Sequence, residues 1–163
     1  MSTIIVVKGT SNHVVSEHNA DLAEKHWSVD RGGYARRNIG SFIYKGEKLH
    51  RVVAERKYNR KIAKGEYVDH INGDIFDDRD ENIRIVTPTQ SNQNKRKHKD
   101  NTSGYIGVVL HKELKFKKYN ARIQVDGKEI SLGYYATAEE AHRVRRAAEL
   151  KYFGEYARQD DYD

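Results

Sequence analysis

Short apolar runs separated by turn residues fill the first third of the chain. Residues 4–7 and 13–15 are rich in β-branched side chains and read as strands. Residues 16–25 form a short helix or turn with Leu22 and Ala23 facing inward. Residues 27–29 and 34–38 flank Asp30-Arg31-Gly32-Gly33, the pattern of a hairpin closed by a glycine-rich turn. Lys45-Gly46-Glu47 is a further turn. Residues 51–58 have helical spacing, with Val52, Val53 and Arg56 near one face.

The pattern is clearest between residues 65 and 95. Residues 65–71 begin as a strand and end in polar turn chemistry, with Asn72-Gly73-Asp74 as the turn and residues 77–80 as turn and cap residues. Residues 82–86 alternate with period two and read as a second strand. Thr87, Pro88 and Gln90 have the spacing of an N-cap, a first helical proline and the third residue of a capping box, so a helix should run to about residue 97. The order is strand, long loop, strand, helix.

Residues 103–157 read as a separate small domain. Strands are predicted over 105–110, 118–125 and 128–134, and Asp126-Gly127 is a strong type I′ hairpin turn. Thr137 to Glu140 forms a capping box, followed by a helix with Ala141, Val144, Ala148 and Tyr152 on its apolar stripe and Gly154 at its end. The predicted layout is residues 1–94 as one domain with a β-rich N-terminal extension, 95–102 as a basic linker, 103–157 as the second domain and 158–163 as an acidic tail.

Composition supports small domains. The 163 residues are 33% charged and 37% hydrophobic, which is little apolar material for one large core. Small domains bury a smaller share of their surface, so a bound ligand or partner would add to their stability. The net charge is +6, and it is concentrated: residues 90–125 hold nine Lys/Arg and two Asp/Glu, a net of +7, which leaves −1 for the rest. A localised positive segment points to a polyanionic partner. The absence of cysteine excludes disulfides and thiolate zinc sites. The N-terminal apolar run is too short for a signal peptide, and no stretch approaches the roughly 20 residues of a membrane helix. The expectation is a cytoplasmic protein with no membrane partner.

Asp69-His70 ends the strand predicted before the long loop. A carboxylate can hold a divalent ion, and an ordinary imidazole is suited to act as a base near neutral pH. Adjacent strand side chains face opposite ways, so a bend is required to aim both at one phosphate. Asn72-Gly73-Asp74 supplies turn residues for such a bend. By itself the pair is a common surface dipeptide.

The wider run changes its meaning. Val68-Asp69-His70-Ile71-Asn72-Gly73-Asp74, Asp78-Arg79 and Glu81-Asn82-Ile83-Arg84-Ile85-Val86-Thr87 resemble the HNH endonuclease family, in particular its phage and intron-borne homing branch. Trp27, Gly33-Tyr34-Ala35 and Leu49-His50-Arg51 resemble the region that precedes the motif in that branch, so the resemblance covers most of residues 13–97. It implies an α+β protein with a ββα-metal nuclease domain, which agrees with the strand, strand, helix order. It further implies Mg²⁺- or Mn²⁺-dependent hydrolysis of phosphodiester bonds in double-stranded DNA, by nicking or by double-strand cleavage.

Carried over by residue, the resemblance makes Asp69 a metal ligand, His70 the general base and Asn82 the residue that holds the loop so that His70 is aimed. It also implies a ligand from the helix after Thr87. The family's usual asparagine position is Ser91 here, with Asn92 one residue later and Asn94 beyond. One residue turns a helix by about 100°. A helix that starts one residue later makes Asn92 the ligand, which is the reading adopted; otherwise Ser91 ligates weakly or activity is reduced. Asn94 fits the helix surface or a phosphate contact. Hard oxygen ligands suit Mg²⁺ or Mn²⁺. The ion would stabilise the phosphate and leaving oxygen while His70 deprotonates water.

His50 leaves two readings open, a residue touching the active site or a structural or phosphate-contacting histidine. His98 reads as a phosphate neighbour. His13, His18, His26, His111 and His142 show no ligand spacing and read as structural or surface residues.

A second resemblance covers residues 101–157. Asn101 to Val108, Tyr119-Asn120-Ala121-Arg122-Ile123, Leu132 to Tyr135, Ala138 to Ala141 and Tyr152-Phe153-Gly154 resemble the DNA-binding domain of APETALA and ethylene-response transcription factors. This implies a three-stranded antiparallel sheet packed on one helix, with the sheet in the major groove. Period two puts Asn120, Arg122 and Gln124 on the open face, opposite Tyr119, Ala121 and Ile123, where arginine suits guanine and the amides suit adenine. Lys112, Lys117, Lys118 and Lys128, with Lys95, Arg96 and Lys97 of the linker, are the further DNA-binding candidates. The alternative is a sequence-specific DNA-binding regulator with a degenerate nuclease site. One centre per chain favours nicking by a monomer; a homodimer could cut both strands.

Overall fold

Ile5, Val7, Val15, Leu22, Trp27 and Ala35 come from separate short segments, and none could bury its side chain alone. Together with Leu49, Val53, Ala54 and Ile83 they form one buried core in the computed structural model, which describes residues 1–8, 12–38, 46–94 and 100–158. Two compact units are formed, one over Met1–Ser91 and one over Asn92–Arg158. The protein is a mixed α+β chain with several small sheets and few helices.

The first unit begins with β1 (Ser2–Ile5), β2 (Val7–Lys8) and β3 (His13–Ser16). β1 pairs antiparallel with β3, and β2 pairs in parallel with β4 (Trp27–Val29). The single strand expected at 4–7 is therefore divided: Ile5 and Val7 both face the core, while Val6 between them is exposed. A 3₁₀ turn occupies Glu17–Glu24. Its three-residue repeat puts Asn19 and Leu22 on one side, both buried, and leaves Ala23 exposed rather than inward. The Trp27 indole donates to the Leu22 carbonyl at 2.8 Å, which ties this turn to the sheet.

β4 forms the expected hairpin with β5 (Ala35–Asn38), and β5 pairs with β6 (Gly46–Lys48). Helix α1 (Leu49–Lys57) starts two residues earlier than the sequence pattern suggests, because Leu49 and His50 join Val53 and Ala54 on its buried stripe. β7 (Tyr67–His70) and β8 (Ile83–Val86) form a two-stranded antiparallel sheet in which Asp69 faces Arg84 and His70 faces Ile83. Helix α2 (Pro88–Gln93) follows. Its capping box is made: the Thr87 hydroxyl accepts from the Gln90 amide at 3.3 Å, and the Gln90 side chain accepts from the Thr87 amide at 2.8 Å. The helix ends at Gln93, short of the expected residue 97: Asn94 is a turn residue, and residues 95–97 lie outside the described residues.

The second unit has the sheet β9 (Val108–Leu110), β10 (Tyr119–Val125) and β11 (Lys128–Tyr135), with β10 in the middle, and helix α3 (Ala138–Phe153). Asp126 and Gly127 have φ of 49° and 78°, as a type I′ turn requires. The Thr137 hydroxyl caps α3 by accepting from the Glu140 amide at 3.2 Å. The buried stripe of α3 is Ala138, Ala141, Arg145, Ala148, Glu149 and Phe153, whereas Tyr152 is exposed. The expected stripe is rotated because Arg145 and Glu149 pair at 2.9 Å and lie inward. Gly107, at φ 68°, makes room for them, since a Cβ there would lie 2.3 Å from Arg145 Nε. Among the described residues no helix is long and apolar enough to cross a membrane.

Candidate active site

The β7–β8 register decides where the motif's side chains go. Asp69 and Arg84 are cross-strand partners, and the Asp69 carboxylate accepts from Arg84 Nη2 at 2.9 Å and Nε at 3.1 Å. His70, the next residue, faces the other side and is buried, with Nε2 2.9 Å from Asp78 Oδ1. The bend expected between the two is absent. Strand-like pairing continues past His70, where the Ile71 amide donates to the Asn82 carbonyl at 2.8 Å. The chain turns only afterwards, at Gly73 with φ 72°. Asp69 and His70 therefore diverge, as neighbours on a straight strand must.

Asn82 spans the loop that follows His70. Its Oδ1 accepts from the Asn72 amide at 2.9 Å, and its Nδ2 donates to the Asp77 carbonyl at 2.7 Å. Asp77 receives Arg79 through Nε and Nη2, both at 2.7 Å, and its carboxyl is held below its ordinary value first by that guanidinium. The loop is thus braced from both ends.

Strand β3 runs beside this loop. Val14 donates to the Phe76 carbonyl and accepts from the Asp78 amide, both at 2.8 Å, and the Ser16 hydroxyl accepts from the Asp80 amide at 2.9 Å. These bonds bring His13 to Asp78, with Nδ1 2.5 Å from Oδ2. Asp78 is fully buried and His13 nearly so. Burial is the largest single influence on Asp78 and opposes its ionisation, yet the bonds from His13 and His70 hold its carboxyl below the usual value.

His50 of α1 packs against this cluster. Its ring lies 5.4 Å from that of His70 and 4.9 Å from that of Tyr34, and Tyr34 stacks on His70 at 6.2 Å. Burial, and then the neighbouring His70, push His50 down to about 3, so it is neutral at physiological pH. The structure thus places His50 against the His70 ring.

His50, His70 and Asp78 offer ligand atoms that all lie within 4.8 Å of one another. Two imidazoles and one carboxylate suit a borderline transition ion better than Mg²⁺. However, Asp78 already serves two histidines. The carboxylate of Asp69 is a hard oxygen donor, of the kind Mg²⁺ or Mn²⁺ takes.

The other candidates are distributed as follows. Ser91 is half-buried and ends the first unit, while Asn92 is exposed and begins the second. Asn94 is buried, not on the helix surface. Lys95, Arg96, Lys97 and His98 lie outside the described residues. In the second unit Arg122, Gln124 and Lys128 are exposed, and so are Lys112, Lys117 and Lys118 in the segment between β9 and β10. Arg122 meets Glu129 across the strands at 3.1 Å. Asn120 alternates with Tyr119 and Ala121 as expected but is buried, and its amide donates to the Ser131 hydroxyl at 2.9 Å and the Gly133 carbonyl at 3.0 Å. The irregularity beside Ala121 and Arg122 places its extra residue, Leu132, in β11, so the alternation along β10 continues and it is the side-chain bonds that withdraw Asn120 from solvent.

The meeting of His13 and His70 at Asp78 was not readable from the sequence. Asp78 was legible only as a turn residue of the motif. His13 shares a strand face with the fully buried Val15, so its burial was readable, but its partner lies 65 residues away.

Residues 47–93 match an HNH endonuclease family. Protein 3.8 of Escherichia phage T7 is 33% identical over 109 residues, covering 61% of this chain and 88% of the phage protein. An uncharacterized HNH endonuclease, L560, of Acanthamoeba polyphaga mimivirus is 25% identical over 156 residues, covering 96% of this chain and 78% of the viral protein. No solved structure matches the chain. With the motif, the braced His70 loop and these viral relatives together, the chain carries an HNH endonuclease domain and is a nuclease.

Proposed function

We propose that the protein hydrolyses phosphodiester bonds of duplex DNA in a divalent-metal-dependent reaction, with His70 as the general base. The observation that carries this reading is the setting of His70. Its ring is buried at the end of β7, bonded to Asp78 at 2.9 Å, and followed by a loop that Asn82 clamps at 2.9 and 2.7 Å. A base held in this way keeps its orientation when a water and a phosphate are presented to it.

Asp69 is the proposed carboxylate ligand for Mg²⁺ or Mn²⁺, with the second protein ligand from Asn92 or Ser91; because Asp69 and His70 lie on opposite faces of β7, this requires a phosphate that reaches both around the end of the strand. Bound there, the ion would stabilise charge on the phosphate and on the leaving oxygen. Arg84, which grips Asp69 at 2.9 Å, would keep the carboxylate oriented. The remaining work falls to the chain: His70 accepts the proton of the attacking water, Asn82 holds the loop, and neutral His50 with Tyr34 shields the His70 ring from bulk solvent.

The second unit is the proposed DNA-holding part. Arg122, Gln124 and Lys128 on the sheet, and Lys112, Lys117 and Lys118 beside it, are exposed and can reach bases or phosphates. Lys95, Arg96 and Lys97 would add backbone contacts. Asn120 is left out, since its amide is committed within the sheet.

The test is cleavage of supercoiled plasmid with and without Mg²⁺ or Mn²⁺. Metal-dependent nicked or linear product is expected from the wild type, and His70→Ala should lose it while still retarding DNA on a gel. Undiminished cleavage by His70→Ala rejects the assignment.

A further inference from the structure

We propose that Asp78 and His13 are a buried positioning pair that fixes the tautomer of the His70 imidazole. The proposal rests on the reading of His70 as the general base and goes beyond it to two residues outside that reading.

Three side chains form an unbroken chain of hydrogen bonds. His13 Nδ1 is 2.5 Å from Asp78 Oδ2, and Asp78 Oδ1 is 2.9 Å from His70 Nε2. The side chains are exposed by only 1%, 1% and 4%. An ionised carboxylate can only accept hydrogen bonds. The nitrogen that faces it on each ring must therefore carry hydrogen. For His70 that nitrogen is Nε2, which puts the lone pair on Nδ1. Only Nδ1 can then take a proton from water. The opposite tautomer would set the Nε2 lone pair against a carboxylate oxygen in a buried space, which is costly.

His13 matters because Asp78 has two oxygens. A carboxylate held through one of them can swing about its χ2 torsion. The bond from His13 fixes the second oxygen and so the plane of the group. The backbone reinforces this: the Asp78 amide donates to Val14, the neighbour of His13, at 2.8 Å.

The geometry also argues against a purely structural role for His13. Its Nε2 is buried and has no hydrogen-bond partner among the described residues. A buried unpaired acceptor weakens the fold relative to an apolar residue of similar shape. That cost is explained if the residue is there to hold Asp78. The edge of Phe76 against the His13 ring, with centroids 5.3 Å apart, closes this side to water.

Cleavage kinetics of the full-length protein on a short duplex at saturating Mg²⁺ test the pair. Asp78→Asn keeps one acceptor and nearly the same shape, but cannot accept from both rings. It should lower kcat by about 10²-fold or more and leave KM within about twofold. His13→Leu should lower kcat by about tenfold, and His13→Asn, which keeps an N–H near the same place, should recover most of that loss. The double variant of His13→Leu and Asp78→Asn should be no slower than Asp78→Asn alone, since both changes break one chain.

Because buried variants can fail to fold, imidazole ¹⁵N shifts of wild-type His70 give a second reading. Hydrogen on Nε2 is expected. A bare Nε2, whether from the other tautomer or from an ion bound there, overturns the proposal. Wild-type kcat in Asp78→Asn beside an inactive His70→Ala overturns the positioning pair and leaves the general base standing. An active His70→Ala removes both. Equal loss in His13→Leu and His13→Asn, or a loss confined to KM, reduces His13 to a packing role and also overturns the proposal.

Discussion

Among single residues, His50 shows most plainly what burial does. Its folded state is neutral down to about pH 3, whereas an unfolded histidine takes up a proton near its model value of 6.5. Between those values only the unfolded chain binds the proton. Stability from His50 is thus fully present above about pH 6.5 and falls with pH by about 1.4 kcal/mol per unit toward pH 3. Asp78 acts in the same direction lower on the scale, because the histidine bonds that outweigh its burial hold its carboxyl below the ordinary value. Urea unfolding between pH 7 and pH 4 should show this slope, and His50→Gln should flatten it. An unchanged slope in that variant would mean that another group carries the effect. Asp69 and His70 illustrate what a dipeptide hides. Their identity was readable, but their divergence to Arg84 and Asp78 required the strand register.

At the level of elements, local chemistry was legible where the signal was local. The Thr87 and Gln90 box, the Asp126-Gly127 turn and the alternation of β8 all lie within a few residues of what they specify. The phase of α3 was not legible, because a buried Arg145–Glu149 pair reads as surface in a hydrophobic pattern. Gly107 is the counterpart of that pair. An added Cβ would lie 2.6 Å from the Arg122 carbonyl as well as 2.3 Å from Arg145, on a backbone at φ 68°. Gly107→Ala should cost at least about 2 kcal/mol, read as a lower melting temperature. A melting temperature equal to wild type would show that the helix can move away without penalty.

Over the whole molecule, charge and chemistry are placed apart in sequence. Residues 90–125 carry a net of +7, while the residues of the braced His70 loop lie before them. If Lys117 and Lys118 touch phosphates, the logarithm of DNA affinity should fall linearly with the logarithm of salt, and replacing each by Gln should reduce the slope by about 0.9. A slope that both replacements leave unchanged would take this segment out of the interface. The two units have separate cores, one around Ile5, Leu49 and Ile83 and the other around Ile123 and Phe153, with a smaller cluster at Val108, Ala121 and Ala141.

By itself the sequence determined the hairpin, the caps, the basic segment and the motif from Asp69 to Asn82, because each is written in residues close together along the chain. Only the tertiary structure decided which side chains meet. It set His70 against Asp78 rather than beside Asp69, and brought His13 across 65 positions to the same carboxylate. It also drew the Asn120 amide into the sheet. The physical reason is that register and burial depend on distant partners, and a buried polar group settles wherever its hydrogen bonds can be met.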